Sequence, residues 1–141
     1  MILRIRAHHL LCMMGFRGLG YSPEFVENMQ LVVASFFSAP GMDTELAAGA
    51  DDICSACPNL HDGACHADED SERNVAARDE AVLRRLGLSA GGRMDSPALT
   101  RLVVERIDDS ALAEICAGCQ WLPLGHCEAG LRSFREALGR A

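Results

Sequence analysis

The sequence carries little positive charge and few aromatic side chains. Its 13 basic residues are all arginine, against 20 acidic residues, which gives a formal net charge of -7, and it has one Trp and one Tyr. Nucleic-acid-binding proteins usually present a basic surface, and single-strand binders add aromatic rings on which bases stack. We therefore expect no nucleic-acid partner.

Long apolar runs are also missing. No stretch approaches the roughly 20 apolar residues that a membrane helix needs. Residues 1–11 carry Arg4, Arg6, His8 and His9 where a secretory signal would need its apolar segment. We therefore expect no membrane partner and a cytoplasmic location. Thiols stay reduced in that compartment, so the seven cysteines are interpreted as metal ligands or reactive groups rather than as disulfides.

The sequence has no familiar catalytic motif. The glycine-rich stretch GFRGLG at residues 15–20 lacks the Gly-Lys-Ser/Thr ending of a phosphate-binding loop. No pair of carboxylates at matched spacing identifies a substrate. Whether the protein is an enzyme therefore stays open at this point.

Length and hydropathy predict one compact helical domain. The chain has 141 residues, 49% of them hydrophobic, so a single domain over residues 1–141 can bury a core. Apolar residues recur mostly at helical spacing, which predicts a mostly α fold with minor β. Ser22 and Ser96, each followed by proline, are expected helix caps. Residues 88–95 are interpreted as a linker between halves. The expected elements are a strand at 2–6, a short helix at 7–14, and further helices over about 23–38, 75–86 and 96–107 and from about 110 and 130.

Two cysteine-rich stretches share one spacing. Residues 51–65 are DDICSACPNLHDGAC and residues 113–127 are AEICAGCQWLPLGHC, and both follow I-C-x2-C-x2-L-x2-G-x-C. Three cysteines at identical intervals, twice in so short a chain, indicate an internal repeat. We expect two related Cys-rich modules, 51–67 and 113–129, packed around a pseudo-twofold axis.

Each module offers three convergent thiolates. A C-x2-C turn directs two sulfurs to one point, and a third cysteine reached through a glycine can close over that point. A closed zinc site or a [4Fe-4S] cluster needs four ligands, so each module is one ligand short. The candidate ligands are Cys54, Cys57 and Cys65 in the first module and Cys116, Cys119 and Cys127 in the second.

The stretch RAHHLLC at residues 6–12 offers candidates for the fourth ligand. On a helix, His8 and His9 lie four and three residues before Cys12, so an imidazole and a thiolate can share a face. One assignment gives Cys12 to one module and leaves the other with His8, His9, a local histidine or an open position. Alternatively, the histidines are surface or core residues and Cys12 is a small buried side chain.

The ligand pattern favours an iron–sulfur cluster, [4Fe-4S] above other types, and keeps zinc as the alternative. His61, with His66 nearby, gives the first module the look of a shortened zinc knuckle. Pro123 stands at the matching position of the second module, so one zinc arrangement does not serve both copies. Clusters commonly use one cysteine distant in sequence, as Cys12 is.

Four stretches resemble a known family. They are RAHHLLC at 6–12, GFRGLGYSPEF at 15–25, DDICSACP at 51–58 and ICAGCQW at 115–121. They resemble a family of small bacterial and archaeal proteins called domain of unknown function 1284, in which iron–sulfur binding has been suspected. The resemblance implies a cysteine-ligated cluster at the six module cysteines together with Cys12. It implies no reaction.

Three functional hypotheses follow. The first is an iron–sulfur protein with one or two clusters that transfers electrons with a protein redox partner; in a catalytic version, His8 or His9 serves an open iron site. The second is a structural zinc-binding adaptor. The third is a thiol enzyme, with Cys12 as nucleophile and His8 or His9 as base or with a C-x2-C pair as redox dithiol; a lone dithiol would not explain the third cysteine at the same interval in each copy.

Overall fold

The computed structural model describes residues 2–18, 20–38, 40–65, 71–117, 119 and 122–139. Helices dominate this part of the chain, which confirms a mostly α fold with minor β. None of these helices combines the length and the apolar character that crossing a bilayer requires. The helices are α1 (His9–Met14), α2 (Pro23–Phe36), α3 (Ser71–Leu86), α4 (Ser96–Arg106), α5 (Asp109–Ile115) and α6 (His126–Gly139). The strands are β1 (Ile2–Arg6), β2 (Asp43–Ala47), β3 (Leu60–His61), β4 (Ala64–Cys65) and β5 (Arg93–Asp95).

Three strands form a sheet with β2 in the middle. β1 runs parallel to β2, with Ile5 opposite Leu46, and β5 runs antiparallel to β2 on its other side. The interpretation of 88–95 as a linker is therefore wrong for its last three residues. The turn before β5 is already tied to β2, because the amide of Gly91 donates to the carbonyl of Leu46 at 2.8 Å. Gly91 has a φ of +89°, which glycine adopts without strain.

The two Ser-Pro helix starts are capped differently. At α2 the predicted cap is confirmed, because the hydroxyl of Ser22 accepts a hydrogen bond from a first-turn amide. At α4 the prediction is wrong by one residue: the carboxylate of Asp95 accepts from the amide of Ala98 at 2.9 Å, and Ser96 is the first helical residue. The hydroxyl of Ser96 instead accepts from the amide of Met42 at 2.8 Å, which joins the start of α4 to the residue before β2.

The apolar helix faces meet in one buried cluster. Full burial of such a side chain contributes about 1.5–3 kcal/mol, so this cluster holds the helices together. Val75, also predicted to face inward, is half-buried and lines the cavity described below. The buried side chains predicted from helical spacing are Phe25, Met29, Val32 and Phe36 in α2, Val82, Leu83 and Leu86 in α3, Leu99 and Val103 in α4 with Ile107 directly after it, and Leu131 in α6.

Helices α1 and α6 approach each other backbone to backbone through two glycines. A Cβ atom added to Gly130 of α6 would collide with the carbonyl of Met14, and one added to Gly15 would lie 2.5 Å from the Cα of Cys127. Real Cβ atoms essentially never approach other atoms within 3.0 Å. Glycine at both positions therefore permits the contact, and the contact brings Cys12 of α1 towards Cys127 of α6.

Candidate metal centre

Six of the seven cysteines line one cavity of about 160 Å³. The cavity also contains His8 and His9 from the start of the chain, so it joins α1 to both cysteine-rich stretches. All seven cysteines are free thiols. The cavity-lining cysteines are Cys12, Cys54, Cys57, Cys65, Cys119 and Cys127.

Cys12, Cys116, Cys119 and Cys127 form a set that we call the four-cysteine group. Cys12 lies in α1, Cys116 directly follows α5, and Cys127 lies in the first turn of α6. Burial raises the pKa of the Cys12 thiol well above its usual value, and the charges of Cys127, Cys116 and Cys119 raise it further. Burial and the charges of Cys119 and Cys127 likewise raise the pKa of Cys116 to about 12. The sequence left open which module Cys12 joins, and the fold brings it to the second.

Cys54, Cys57 and Cys65 form the three-cysteine group. Burial, followed by the charge of Asp51, raises the pKa of Cys54 to about 12. Burial also raises the pKa of Cys57, and the nearby charge of Cys65 adds to it. Burial therefore opposes the ionisation of Cys12 and Cys116 in the first group and of Cys54 and Cys57 in the second, and neighbouring negative charge adds to it.

The two cysteine-rich stretches form the same turn. In the first stretch, the amide of Cys57 donates to the carbonyl of Cys54 at 2.9 Å. In the second stretch, the amide of Cys119 donates to the carbonyl of Cys116 at 2.9 Å. Gly63, two residues before Cys65, has a φ of +77°, and Gly125, two residues before Cys127, has a φ of +76°. The two copies then differ. Cys65 is the last residue of strand β4, whereas Cys127 lies in the first turn of α6.

His9 is held against the three-cysteine group by Asp51. Nδ1 of His9 lies 2.8 Å from Oδ2 of Asp51, and Oδ1 of Asp51 accepts from the amide of Cys54 at 2.9 Å. Asp51 is buried, which works against its charged form, yet His9 and the amides of Arg6 and Cys54 hold its pKa well below the usual range. A carboxylate on Nδ1 fixes the proton there and leaves Nε2 free as a ligand atom.

His8 is held in the same way by Asp79. Nδ1 of His8 lies 2.7 Å from Oδ1 of Asp79, a side chain with no exposed surface. Burial, with the neighbouring charge of His9, lowers the pKa of His8 to about 4, so the ring is neutral at pH 7. The two imidazole rings lie 4.5 Å apart between centroids. The prediction that a histidine lies beside the cysteines therefore applies to both residues.

Arg6 connects the supports of both histidines. Its guanidinium donates to Asp79 at 2.8 Å and to Glu72 at 2.9 Å, and its amide donates to Asp51 at 2.7 Å. Glu72 in turn accepts from the amide of Cys65 at 3.0 Å. Arg6 is 1% exposed. Arg6 therefore organises three carboxylates, two through its buried guanidinium and Asp51 through its backbone amide, and these carboxylates position both histidines and two of the cysteines.

These supporting residues were missed in the sequence. Arg6 looked like one basic residue of an alternating strand, and the carboxylates carried no motif. Their partners lie 45 to 73 residues away, so no local spacing could pair them. Of the other histidines considered, His61 is exposed on β3, while His66 lies outside the described residues. His126 lines the cavity beside Cys127.

A family model described as "Protein of unknown function (DUF1284)" matches residues 20–125, more than half of the chain. The chain belongs to this family. No curated protein and no solved structure matches it. The expected family is therefore confirmed. Its description names no cofactor or reaction, so the chemistry of this DUF1284 protein has to be argued from its own residues.

The donor set of this DUF1284 protein fits an iron–sulfur cluster. Clusters are ligated mainly by thiolates, with imidazole as an alternative ligand, and both donor types line the cavity. Burial is the main cause of the raised pKa values of Cys12 and Cys116, and the positive charge of Arg78 offsets it only in part. Bound iron would supply further positive charge and keep the thiols deprotonated.

Proposed function

We propose that this protein binds two iron–sulfur clusters of the [4Fe-4S] type and transfers electrons with a protein redox partner. One cluster would be held by the four-cysteine group. The second would be held by the three-cysteine group and His9. Each set then has one ligand for each iron. The observation that carries the proposal is the convergence of six of the seven cysteines on one cavity.

The fourth ligand of each group is supported by a separate contact. Cys12 is drawn to the second module by the glycine-mediated approach of α1 and α6. His9 is supported by its hydrogen bond to Asp51, because a metal-ligating histidine almost always places its other ring nitrogen against a carboxylate or carbonyl. Residues 51–67 and 113–129 would then be two related modules about a pseudo-twofold axis, and their matching turns support this relation.

When bound, the clusters would accept and release single electrons. The chain's own residues would set the conditions for that. Asp51 fixes the ring orientation of His9, and Glu72 fixes the backbone at Cys65. The buried guanidinium of Arg6 offsets the charge of Glu72. Burial and hydrogen bonding around a cluster are the features that set its potential, so these residues would tune it.

Zinc is the second candidate, and one observation favours it at the three-cysteine group. Among the described residues, His9, Asp51 and Cys54 are the one set of three potential ligand atoms within 4.8 Å of one another. No three sulfurs of the four-cysteine group lie within 4.8 Å of one another. Tetrahedral zinc with Zn–S bonds of about 2.3 Å needs its sulfurs about 3.8 Å apart. A structural zinc-binding adaptor is therefore the weaker proposal. Asp51 also has both oxygens engaged in hydrogen bonds, which suits a support better than a ligand.

Ligand variants test the assignment. Cys57→Ser and Cys119→Ser should each remove about half of the iron and sulfide, because each breaks one group and spares the other. His9→Gln should act like Cys57→Ser, whereas His8→Gln, the neighbouring histidine with the same kind of support, should keep the iron. Iron and sulfide are measured per folded chain after anaerobic purification. Unchanged iron in both cysteine variants would contradict the proposal.

A further inference from the structure

A second concave surface lies outside the cysteine cavity, between α3 and the end of α5. It is a groove of about 650 Å³. One face of α3 lines the groove, because its lining residues are spaced three or four positions apart. These residues are Asn74, Ala77, Arg78, Ala81, Arg84 and Arg85. The small side chains of the two alanines leave room between the helices. We call this surface the α3–α5 groove.

The groove is positively charged although the chain as a whole is acidic. Among the described residues, three arginines, Arg78, Arg84 and Arg85, line it against one acidic residue, Glu114. Arg85 and Glu114 pair across the groove at 3.6 Å, but both are solvent-exposed, so water screens the pair. The formal charge of the whole chain is -7. An acidic partner would therefore be repelled by most of the surface and attracted here, which selects one orientation.

The groove also adjoins the four-cysteine group. Ile115 and Ala117, which line the groove, flank Cys116 in the chain. Arg78 lines both the groove and the cysteine cavity, and its guanidinium donates to the carbonyl of Ala117 at 3.5 Å. The groove and the cavity are thus separated at this point by the thickness of one side chain. A partner seated in the groove would lie next to the proposed cluster.

We propose that the α3–α5 groove is the docking site for a small acidic electron-carrier protein. The charge of the groove and its position beside Cys116 carry this proposal, and the choice of an electron carrier rests on the proposed redox function. Weak, transient redox complexes use small interfaces with charged rims. The exposed arginines would supply that rim, and the alanine floor would accept an apolar contact.

The test is calorimetric titration with oxidised flavodoxin, an acidic carrier of single electrons, at low and high salt. Wild-type protein should bind at low salt and lose most of its affinity at high salt. The variant Arg84→Glu/Arg85→Glu should weaken binding about 10-fold or more at low salt, since it removes two attractive charges and adds two repulsive ones. The matched control is Arg101→Glu/Arg106→Glu on α4. It changes the net charge by the same amount, and both variants place a glutamate in the last turn of a helix.

The control should bind within about twofold of wild type, because screening limits the effect of distant surface charge. Equal weakening in both variants, or no binding by wild type, would overturn the docking proposal. If the Glu variant loses thermal stability, Arg84→Gln/Arg85→Gln replaces it and should still weaken binding severalfold. Iron and sulfide are measured on the same samples. A chain without iron would contradict the cluster proposal, while the binding result would still decide the docking site.

Discussion

Replacing Gly130 with alanine should separate α1 from α6 and disrupt the four-cysteine group. The added methyl would meet backbone atoms of Met14 and Gly15, the carbonyl carbon of Met14 at 2.5 Å, and ordinary contacts begin near 3.4 Å. The helices must therefore move apart by about 1 Å, since no side-chain rotamer can absorb a clash with backbone. Overpacking of this kind costs about 1–3 kcal/mol, and alanine's better helix propensity returns up to about 1 kcal/mol.

The net expectation is a loss of about 1–2 kcal/mol in the free energy of unfolding and a loss of iron from the four-cysteine group. Gly139→Ala is the control in the same helix, because a Cβ there meets nothing within 4 Å. Urea unfolding and iron content per chain are measured for both variants. If Gly130→Ala unfolds at the wild-type urea concentration and keeps all its iron, the packing argument is refuted.

Three further substitutions, two of them with a matched control, probe two supports of the site and the proposed ligand Cys12. Asp51→Asn should weaken metal binding at the three-cysteine group by about 10–100-fold, because the amide no longer orients His9 as a carboxylate does. Asp52→Asn should leave metal titration unchanged, and equal losses would contradict the role of the buried residue. Arg6→Met should lower the free energy of unfolding by about 3–5 kcal/mol, since it strands a buried carboxylate. Arg4→Met, half-exposed on the same strand, should change urea unfolding by under about 0.5 kcal/mol. Cys12→Ser should remove at most one cluster's iron, and complete iron loss would show that the groups are not independent.

Many residues of the candidate site could be predicted from the sequence because the same cysteine spacing occurs twice. The repeated cysteine spacing gave the same local turn in both copies, with a left-handed glycine before the third cysteine each time. The start of α2 followed from short-range rules, because Ser22 caps this helix and proline opens it. Features controlled by neighbours in sequence were thus predictable.

What depends on distant packing was not predictable. The sequence could not say which module Cys12 joins, because that depends on the α1–α6 contact made possible by Gly15 and Gly130. Nor could it pair His8 with Asp79, 71 residues away. Residues 93–95 looked like part of a linker because three residues carry little periodicity, and only pairing with β2 makes them a strand.

The metal content of the wild-type protein decides whether it binds two iron–sulfur clusters. The protein is purified without oxygen, and its absorption spectrum is recorded together with iron, sulfide and zinc per chain. We expect a brown protein with a broad band near about 400 nm, iron matched by sulfide, and enough iron for two clusters. A colourless protein carrying zinc and no sulfide would contradict it.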